Sequence, residues 1–318
     1  MLLILLLIEL ILLTLILLPS MAFSSDYYLF DLLSNFQLHF LLLALFLSIP
    51  LLLKSVKIGA ISAAVSILLF ASNHLWLFSK AQPLETESLN EPLKLHIVQA
   101  NLSYFNPVLR TAVEELNSLN ADLYLFYEFN QEQKPLFLEI TGKRYKFGDG
   151  DYDGFPDGMG VISKYPLINI KKHKILPRKG TVITLTLQLP KQNLDLILLH
   201  PPSPRNLDKW QKRNVLLSSV QPLVEFTKSK HVLVAGDFNT TPWSNHFPRH
   251  HLLTPCYQQT GMYASWHAHK YLHPYGWLTG LPIDHCLTSN SIKVTQFKTH
   301  SLPGSDHLAL DYKISLTD

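Results

Sequence analysis

Charged side chains are scarce in this sequence, and its first quarter has almost none. Only 16% of the 318 residues are charged, whereas 47% are hydrophobic. The charged residues before Lys80 are Glu9, Asp26, Asp31, Lys54 and Lys57. A soluble surface normally carries charges of both signs throughout. The composition therefore argues against a protein that is soluble along its whole length.

Cysteine and net charge are also low. Cys256 and Cys286 are the only cysteines, which is too few for a disulfide framework. They can pair in an oxidising compartment or remain two unpaired small side chains, and the sequence leaves both open. The formal net charge is +3. A net charge this small permits a polyanionic substrate. It does not indicate the dense basic face that is typical of proteins that bind nucleic acid non-specifically.

Three apolar stretches open the chain, from Leu2 to Leu18, from Phe36 to Leu53 and from Ile58 to Phe78. A helix needs about 20 apolar residues to cross a bilayer, with about 17 as the lower limit. We therefore predict that residues 1–80 form a membrane anchor of about three transmembrane helices in the lipid bilayer. A cleaved signal peptide is the alternative for the first stretch, but a basic start is missing and two further stretches follow.

Basic residues in short loops predict the orientation of such an anchor. Lys54 and Lys57 lie between the second and third stretches, so that loop is expected in the cytoplasm. The rest of the chain is then expected outside the cytoplasm. Glu9 lies within the first stretch. A functional role is the alternative for a carboxyl in a membrane span. We expect Glu9 instead to stay protonated or to pack against another helix, with no other polar group accompanying it.

Residues 81–92 are polar, contain two prolines and are predicted to be a linker. From residue 93 to residue 318 short apolar strands dominate. Predicted strands cover 95–100, 122–128, 160–163, 182–189, 194–199, 231–235, 292–297 and 308–314, and predicted helices cover 108–119 and 210–226. Runs of strands with few helices between them favour an α+β layered sandwich over an alternating βαβ fold.

Polar side chains recur where these strands end. They are Asn101, Glu128, His200, Asp237, Asn239, Asp284, His285, Asp306 and His307. Any one of them alone is more typical of a turn or cap. Their restriction to Asn, Asp, Glu and His is hard to explain by turns, so we interpret the set as one catalytic site.

Hydrolysis of a phosphoester needs a metal for the phosphoryl oxygens, a deprotonated water and a proton for the leaving oxygen. Carboxylate and amide oxygens suit Mg²⁺. Asn101, Glu128 and Asp306 are the predicted metal ligands.

The remaining polar residues are predicted to act on the substrate. His307 paired with Asp284 suits contact with a phosphoryl oxygen or proton transfer, and His200 is a second residue for either task. Asp237 is predicted to orient the attacking water, and Asn239 to donate a hydrogen bond to developing charge.

At these residues the chain resembles the endonuclease/exonuclease/phosphatase superfamily, which shares the deoxyribonuclease I-like fold. The matching segments over about residues 93–318 are Gln-Ala-Asn101-Leu, Tyr-Glu128-Phe, Gly160-Val-Ile-Ser, His200-Pro-Pro-Ser-Pro, Gly236-Asp237-Phe-Asn239-Thr, Pro-Ile-Asp284-His285 and Ser305-Asp306-His307. The resemblance implies a four-layer α/β/β/α sandwich and one or two divalent ions, Mg²⁺ or Mn²⁺. It also implies the residue roles given above.

The anchored form resembles a bacterial subgroup with N-terminal spans, which implies a multi-pass protein of the bacterial inner or plasma membrane. Some nuclease members have an aspartate where this chain has Ser103, which leaves a second metal position open. The predicted function is a metal-dependent phosphoester hydrolase, phosphodiesterase or nuclease-like, acting on nucleic acid or a lipid headgroup. The alternatives are a lipid or sugar phosphatase or phosphodiesterase of the same fold, and an inactive membrane-anchored binding domain. No protein partner is predicted.

Residues 246–273 are rich in histidine. A zinc or copper site is one interpretation, but no cysteine or carboxylate pattern accompanies it, so a flexible loop near the active site is favoured. Trp266 and Trp277 in this region either stack on a base or sugar or simply pack. Arg205 after His200 either meets a phosphate or lies on a helix surface.

Overall fold

The computed structural model describes residues 2–78, 93–142, 144–148, 154–178, 180–227, 229–269, 276 and 278–317. The chain divides into two compact units, one of Met1–Ser79 with Thr240–Phe247 and one of Lys80–Asn239 with Pro248–Asp318. The predicted linker at 81–92 lies outside the described residues. The predicted domain boundaries therefore stay predictions.

The first unit is helical. Its helices are α1 (Leu2–Leu17), α2 (Tyr28–Ser34), α3 (Gln37–Lys54) and α4 (Val56–Phe78). By length and composition, Leu2–Ser20 and Gln37–Lys54 are sufficient to cross a membrane, whereas the segment Val56–Ser72 is shorter. Two of the three predicted spans therefore meet this requirement, and the third stays a prediction.

Glu9 on α1 packs against another helix, as expected, but polar side chains of that helix form hydrogen bonds with it. Its Oε1 accepts hydrogen bonds from Ser62 Oγ at 2.6 Å and Ser66 Oγ at 3.1 Å, and its side chain is buried. The two serines are four residues apart and share one face of α4. The expectation that no polar group accompanies Glu9 was wrong, because the partners come from a helix more than 50 residues away.

The segment Thr240–Phe247 belongs to this helical unit through a buried asparagine. Asn35 Oδ1 accepts hydrogen bonds from the backbone N–H of Thr241 at 2.8 Å and from its hydroxyl at 3.0 Å. The Asn35 amide in turn donates to the carbonyl of Asp31 at 2.8 Å. A buried amide with this many partners satisfies its hydrogen-bonding capacity within the unit.

The second unit contains two six-stranded sheets. The strands are β1 (Leu93–Asn101), β2 (Leu123–Tyr127), β3 (Tyr145–Phe147), β4 (Gly160–Ser163), β5 (Leu167–Lys174), β6 (Thr181–Gln188), β7 (Asn193–Leu199), β8 (Val232–Asp237), β9 (Leu253–Pro255), β10 (Trp266–His267), β11 (Gly280–Leu281), β12 (Asp284–Ser289), β13 (Ile292–Ser301) and β14 (Leu308–Leu316). The first sheet has the order β13-β14-β1-β2-β4-β3, and the second has the order β5-β6-β7-β8-β12-β9. β10 and β11 form a separate two-stranded pair.

Alternation of side chains along the strands builds the core. Leu95 and Ile97 point to one side of the first sheet and pack in a cluster with Leu196 and Leu198 of the second sheet. Val98 and its neighbours point to the other side, under the helices. Because successive residues of a strand face opposite sides, a strand buried on both faces is apolar almost continuously. Full burial of one such side chain stabilises the fold by about 1.5–3 kcal/mol.

Helices cover the outer faces of the two sheets. They are α5 (Leu109–Ser118), α6 (Lys134–Thr141), α7 (Leu207–Ser218) and α8 (Val220–Phe226). The short helix α9 (Cys256–Thr260) follows β9, and its Cys256 packs in the core cluster that both sheets share. Val113 of α5 and Phe137 of α6 pack on the outer face of the first sheet. Leu216 of α7 and Val220 of α8 are among the buried side chains of these helices. The predicted α+β sandwich of two face-to-face sheets flanked by helices is confirmed.

Three local predictions differ from the structure. The helix predicted over 210–226 is interrupted at Ser219, which separates α7 from α8. The histidine-rich region predicted as one flexible loop contains β9, α9 and β10 in its described part. Asp284 was placed after a strand but is the first residue of β12.

The two cysteines form a disulfide between α9 and β12. Cys256 and Cys286 are both buried, and their Cα atoms are 5.5 Å apart. The pairing that the sequence left open is thus present in the structure. It ties the β9–α9 region to the strand that begins with Asp284.

Candidate active site

The site forms where two pairs of parallel strands end. β1 runs parallel to β2, with Asn101 opposite Tyr127, and β7 runs parallel to β8. The first pair delivers Asn101 and Glu128, and the second delivers His200 and Asp237. Ligand sites commonly form at the carboxyl ends of parallel strands, because buried strands exchange their apolar residues for polar ones there.

Gly236 allows strands β7 and β8 to lie close together at the site. A Cβ atom at this position would collide with the backbone carbonyl oxygen of Leu199 on β7. Glycine therefore permits the close approach of the two strands that carry His200 and Asp237. The opposite side of Gly236 is fixed as well, because its carbonyl accepts a hydrogen bond from Gln99 Nε2 of the other sheet at 3.1 Å.

Asn101 is the link between the two sheets at this edge. Its Nδ2 donates to Asp237 Oδ2 at 3.0 Å and to Glu128 Oε1 at 3.3 Å. Its Oδ1 accepts the backbone N–H of Ser103 at 3.0 Å. The side chain is fully buried, and its hydrogen bonds orient both carboxylates.

Glu128 and His200 approach each other from different sheets. Glu128 has a positive φ of 63°, and its Oε2 accepts the backbone N–H of Tyr104 at 2.9 Å. His200 Nδ1 lies 3.0 Å from the carbonyl oxygen of Asp157. A carbonyl only accepts, so this contact places a proton on Nδ1. His200 Nε2 then faces Glu128 Oε1 at 3.7 Å and Asp237 Oδ2 at 3.8 Å.

Asp284 and His307 form a buried pair. His307 Nδ1 lies 2.8 Å from Asp284 Oδ2, and His307 Nε2 lies 3.9 Å from Asp237 Oδ2. Burial alone lowers the pKa of His307, but the charges of Asp284 and Asp237 and the hydrogen bond to Asp284 outweigh it and raise that pKa to about 10. The imidazole is therefore cationic at neutral pH.

Asp237 has the opposite balance. Burial raises its pKa, the nearby charge of Asp284 raises it further, and His307 and His200 only partly compensate, so that the pKa is about 7. Its Oδ1 accepts the backbone N–H of Asn239 at 2.9 Å. A carboxyl with a pKa near neutrality is suited to exchange a proton with water.

Hydrogen bonds hold both the side chain and the backbone carbonyl of Asn239. It has a positive φ of 50°, and its Nδ2 donates to the carbonyl of Pro201 at 3.1 Å. Its own carbonyl accepts from Arg213 Nη1 at 3.2 Å, and Arg213 is completely buried. Arg213 thus supports the Asn239 turn through a contact that the sequence did not reveal.

Asp306 has a partner that sequence reasoning missed. Trp266 Nε1 donates to Asp306 Oδ2 at 2.9 Å. The two residues are 40 positions apart, and Trp266 was considered only for stacking or packing. The residues that neighbour Trp266 in the sequence do not indicate this hydrogen bond. A tryptophan whose N–H meets a carboxylate is visible only after the fold brings β10 beside residue 306.

The residues of the site fit a divalent cation. In the described part of the chain the ion-pair partners of Glu128, Asp237 and Asp284 are histidines. Asp284 Oδ1 is buried without a hydrogen-bond partner. Buried carboxylates of this density are costly without compensating positive charge, which a bound cation supplies.

Two sets of ligands are possible within this site. Ligand atoms of Asp237, Asp284 and His307 lie within 4.8 Å of one another. His307 is bonded to Asp284 through Nδ1, which leaves Nε2 as its ligand atom, and Nε2 would have to give up its proton to bind a metal. The set predicted from the sequence, Asn101, Glu128 and Asp306, stays a prediction, and its oxygen donors have the chemistry that suits a hard ion such as Mg²⁺.

This chain resembles known proteins in both sequence and fold. Its residues 98–307 match the model of the Endonuclease/Exonuclease/phosphatase family. Among solved structures, a humanized D. rerio TDP2 superposes with a TM-score of 0.59 at 15% identity, and it covers 70% of this chain and 98% of that chain. The human Nocturnin catalytic domain with bound sulfate gives a TM-score of 0.51 at 20% identity over 71% of this chain and 96% of that chain.

A further similar structure is an endonuclease/exonuclease/phosphatase family protein from Bacteroides thetaiotaomicron. Its TM-score is 0.55 at 15% identity, and it covers 72% of this chain and 100% of that chain. No curated protein matches the sequence. Identities this low show a shared fold, whereas the family match spans most of the chain. The chain belongs to the Endonuclease/Exonuclease/phosphatase family, whose enzymes hydrolyse phosphoester bonds and generally use divalent metal ions.

Proposed function

We propose that this chain is a metal-dependent phosphodiesterase held at the membrane by its N-terminal helices. The observation that carries the proposal is the buried contact of His307 with Asp284, beside Asp237 and the Asn101–Glu128 pair. A cationic imidazole, a carboxyl of near-neutral pKa and oxygen ligands for a cation meet within one site. These are the groups that phosphoester hydrolysis requires.

Asn101, Glu128 and Asp306 would hold the cation. When bound, Mg²⁺ or Mn²⁺ neutralises charge on the phosphoryl oxygens. The fit of these residues rests on their oxygen donors and on the absence of Lys or Arg from the ion pairs of Glu128 in the described residues. The amide of Asn101 then keeps Glu128 and Asp237 in fixed orientations during turnover.

The chain's own groups move the protons. Asp237 orients the attacking water and accepts its proton as the oxygen–phosphorus bond forms. His307, held by Asp284, faces the same point through Nε2 and donates a hydrogen bond to a phosphoryl oxygen. His200, whose ring is oriented by the hydrogen bond from Nδ1–H to the Asp157 carbonyl, provides a second hydrogen-bond donor to the phosphoryl group through Nε2–H. The leaving oxygen departs as the phosphorus–oxygen bond breaks and takes a proton from solvent.

A nucleic-acid phosphodiester is the favoured substrate class. One similar structure is a D. rerio TDP2 complexed with a single strand DNA product, at 14% identity and a TM-score of 0.58. A lipid headgroup is the second candidate, and the two apolar helices favour it because they would keep the site near a bilayer.

The disulfide supports a catalytic unit outside the cytoplasm. Disulfides form and persist in oxidising compartments and are rare in the cytosol of most organisms. Cys256 and Cys286 are bonded, which agrees with the orientation expected from Lys54 and Lys57. Protease added to intact cells would then cut the catalytic unit, whereas a cytoplasmic unit would be protected.

The full chain in detergent micelles provides the central test. It is incubated with Mg²⁺ or Mn²⁺ and with plasmid DNA, single-stranded RNA or phospholipid vesicles, and EDTA is the metal-free control. Asp237→Ala and His307→Ala are each expected to reduce turnover by at least about 100-fold. His300→Ala is the matched control, because it breaks a His–Asp pair with Asp311 elsewhere on the first sheet.

Four results are decisive. Turnover of DNA or RNA supports the nuclease-like assignment, and turnover of vesicles alone moves the substrate to lipid headgroups. No turnover of any substrate with either metal contradicts the proposal. Unchanged turnover in Asp237→Ala or His307→Ala contradicts the assigned residue roles.

A further inference from the structure

Trp266 lies beside the loop that carries Asp306 and His307. Its backbone forms an antiparallel bridge with His307. The N–H of His267 donates to the carbonyl of Asp306 at 3.1 Å, and the N–H of Leu308 donates to the carbonyl of Ser265 at 2.7 Å. These backbone contacts fix the position of the tryptophan before its side chain is considered.

The same segment is also tied to the strand that begins with Asp284. Ser265 Oγ accepts the backbone N–H of Ile283 at 3.1 Å and that of Asp284 at 2.9 Å. Ser265 is completely buried, and its own N–H donates to Leu281 at 3.0 Å. Residues 265–267 thus connect two motifs of the site that the sequence separates by about 20 residues.

The indole completes this arrangement. Trp266 Nε1 lies 2.9 Å from Asp306 Oδ2. An indole N–H only donates, so it favours an ionised carboxylate as its partner. It engages one of the two carboxylate oxygens and thereby fixes the torsion of the side chain. The orientation of the other oxygen is then determined by the same bond.

We propose that Trp266 is a positioning residue that orients the Asp306 carboxylate toward the bound cation. The inference rests on the proposed function, because it assigns Asp306 to the metal site. Groups that hydrogen-bond to a metal ligand raise metal affinity by pre-orienting it, and their loss typically costs about 10–100-fold in affinity or activity. Trp266 therefore acts through Asp306, and the stacking on a base considered from the sequence is not needed to explain it.

Trp266→Phe distinguishes positioning of Asp306 from stacking on a base. Phenylalanine retains an aromatic face for stacking but lacks the N–H donor. The full chain in detergent is titrated with Mn²⁺ alone by calorimetry, and its turnover is measured as a function of Mn²⁺ concentration. We expect Mn²⁺ binding to weaken by about 10–100-fold, with most turnover regained at saturating Mn²⁺.

Trp210→Phe is the matched control. Trp210 is a buried tryptophan of α7, and its replacement is expected to leave Mn²⁺ affinity unchanged. Where Trp266→Phe impairs folding, Trp266 is replaced by benzothienylalanine, which retains the bicyclic shape and has sulfur in place of the N–H. The loss of Mn²⁺ affinity should persist in that variant.

The Asp306→Ala background provides an independent check. Once the carboxylate is absent, Trp266→Phe should not weaken Mn²⁺ binding further. Wild-type Mn²⁺ affinity in both Trp266 variants overturns the inference and leaves the proposed function intact. A wild-type chain that neither binds Mn²⁺ nor hydrolyses any substrate overturns both.

Discussion

Asp237 and Asp284 lie directly opposite each other in the antiparallel ladder between β8 and β12. Opposite residues in such a ladder have Cβ atoms about 4.5–5.5 Å apart on one face of the sheet. His307 lies between these two carboxylates, with Nδ1 2.8 Å from Asp284 and Nε2 3.9 Å from Asp237. Strand register therefore determines that each ring nitrogen faces a different acid.

Asp284→Asn tests this arrangement. The substitution removes the main charge that raises the pKa of His307, so the imidazole is expected to lose its proton at a lower pH. We predict a fall in kcat of about 100- to 10,000-fold and a shift of the alkaline limb of the pH profile toward lower pH. Asp311→Asn, which affects the outer His96 and His300 contacts, is the control. An alkaline limb that stays in place in Asp284→Asn would show that His307 does not set it.

The stability of the metal-free protein is predicted to fall as pH rises. His307 has a folded pKa of about 10 against an ordinary value of 6.5, so its contribution is complete below pH 6.5 and is lost as pH approaches 10. Asp237 has a folded pKa of about 7 against 3.8, so its ionisation opposes folding as pH rises through that interval. Both signs agree.

His307→Asn isolates the alkaline part of this dependence. Denaturant midpoints of the full chain in detergent and EDTA are measured from pH 4 to pH 10. The wild type should lose stability between about pH 6.5 and pH 10, and the variant should lose much less over the same interval. His300→Asn should retain the wild-type slope. Equal slopes in the wild type and His307→Asn would contradict the assigned charge of His307.

The sequence predicted the sandwich because alternating and continuous apolar strands are local patterns. It also suggested a set of site residues, since each follows or precedes such a strand. The structure brings Asn101 close to Glu128 and Asp237, and His307 close to Asp284, whereas their catalytic and metal-binding roles stay predictions. It missed partners that approach from elsewhere in the chain, such as Ser62 for Glu9 and Trp266 for Asp306. Their contacts depend on how elements pack, and neither residue differs locally from an ordinary serine or tryptophan. The Asp157 carbonyl that fixes His200 was equally hidden, because a backbone group has no sequence signature.

Asn101→Asp is predicted to make stability depend on metal. The variant loses the amide that donates to Glu128 and Asp237 and adds a third carboxyl beside them. Each lost hydrogen bond to a charged group costs about 1.5–3 kcal/mol, and the added repulsion increases that loss. Melting temperature should fall in EDTA and recover in part with Mg²⁺.

Asn106→Asp is the control for that effect. Asn106 is a buried asparagine whose amide donates to the carbonyls of Leu102 and Pro303, not to a carboxylate. The variant should be less stable by the same amount with and without Mg²⁺. A Mg²⁺ response of equal size in both variants would show that the Asn101 position has no special relation to the cation.

Arg213→Met tests the support of the Asn239 turn. The guanidinium is completely buried and donates to the Asn239 carbonyl and to Asn214 Oδ1. Each buried acceptor left without a donor costs about 1–3 kcal/mol, and the backbone N–H that Asn239 gives to Asp237 should shift. We predict lower thermal stability and lower kcat with a small change in KM. Arg110→Met, which removes an exposed pair with Glu139, should alter neither. A wild-type kcat in a folded Arg213→Met variant would show that catalysis does not depend on the support that Arg213 gives to the Asn239 turn.

The disulfide is predicted to stabilise the catalytic unit and to report its compartment. Cys256 and Cys286 are 30 residues apart, and a crosslink over a loop of this size contributes about 3–4 kcal/mol by constraining the unfolded chain. Reductant should lower the melting temperature of the wild type and leave that of the Cys256→Ala/Cys286→Ala variant unchanged. In cells, thiol-reactive polyethylene glycol added after acid quenching and denaturation should fail to label the wild type until the sample is reduced. Immediate labelling of both cysteines would place them in a reducing compartment and contradict the proposed orientation.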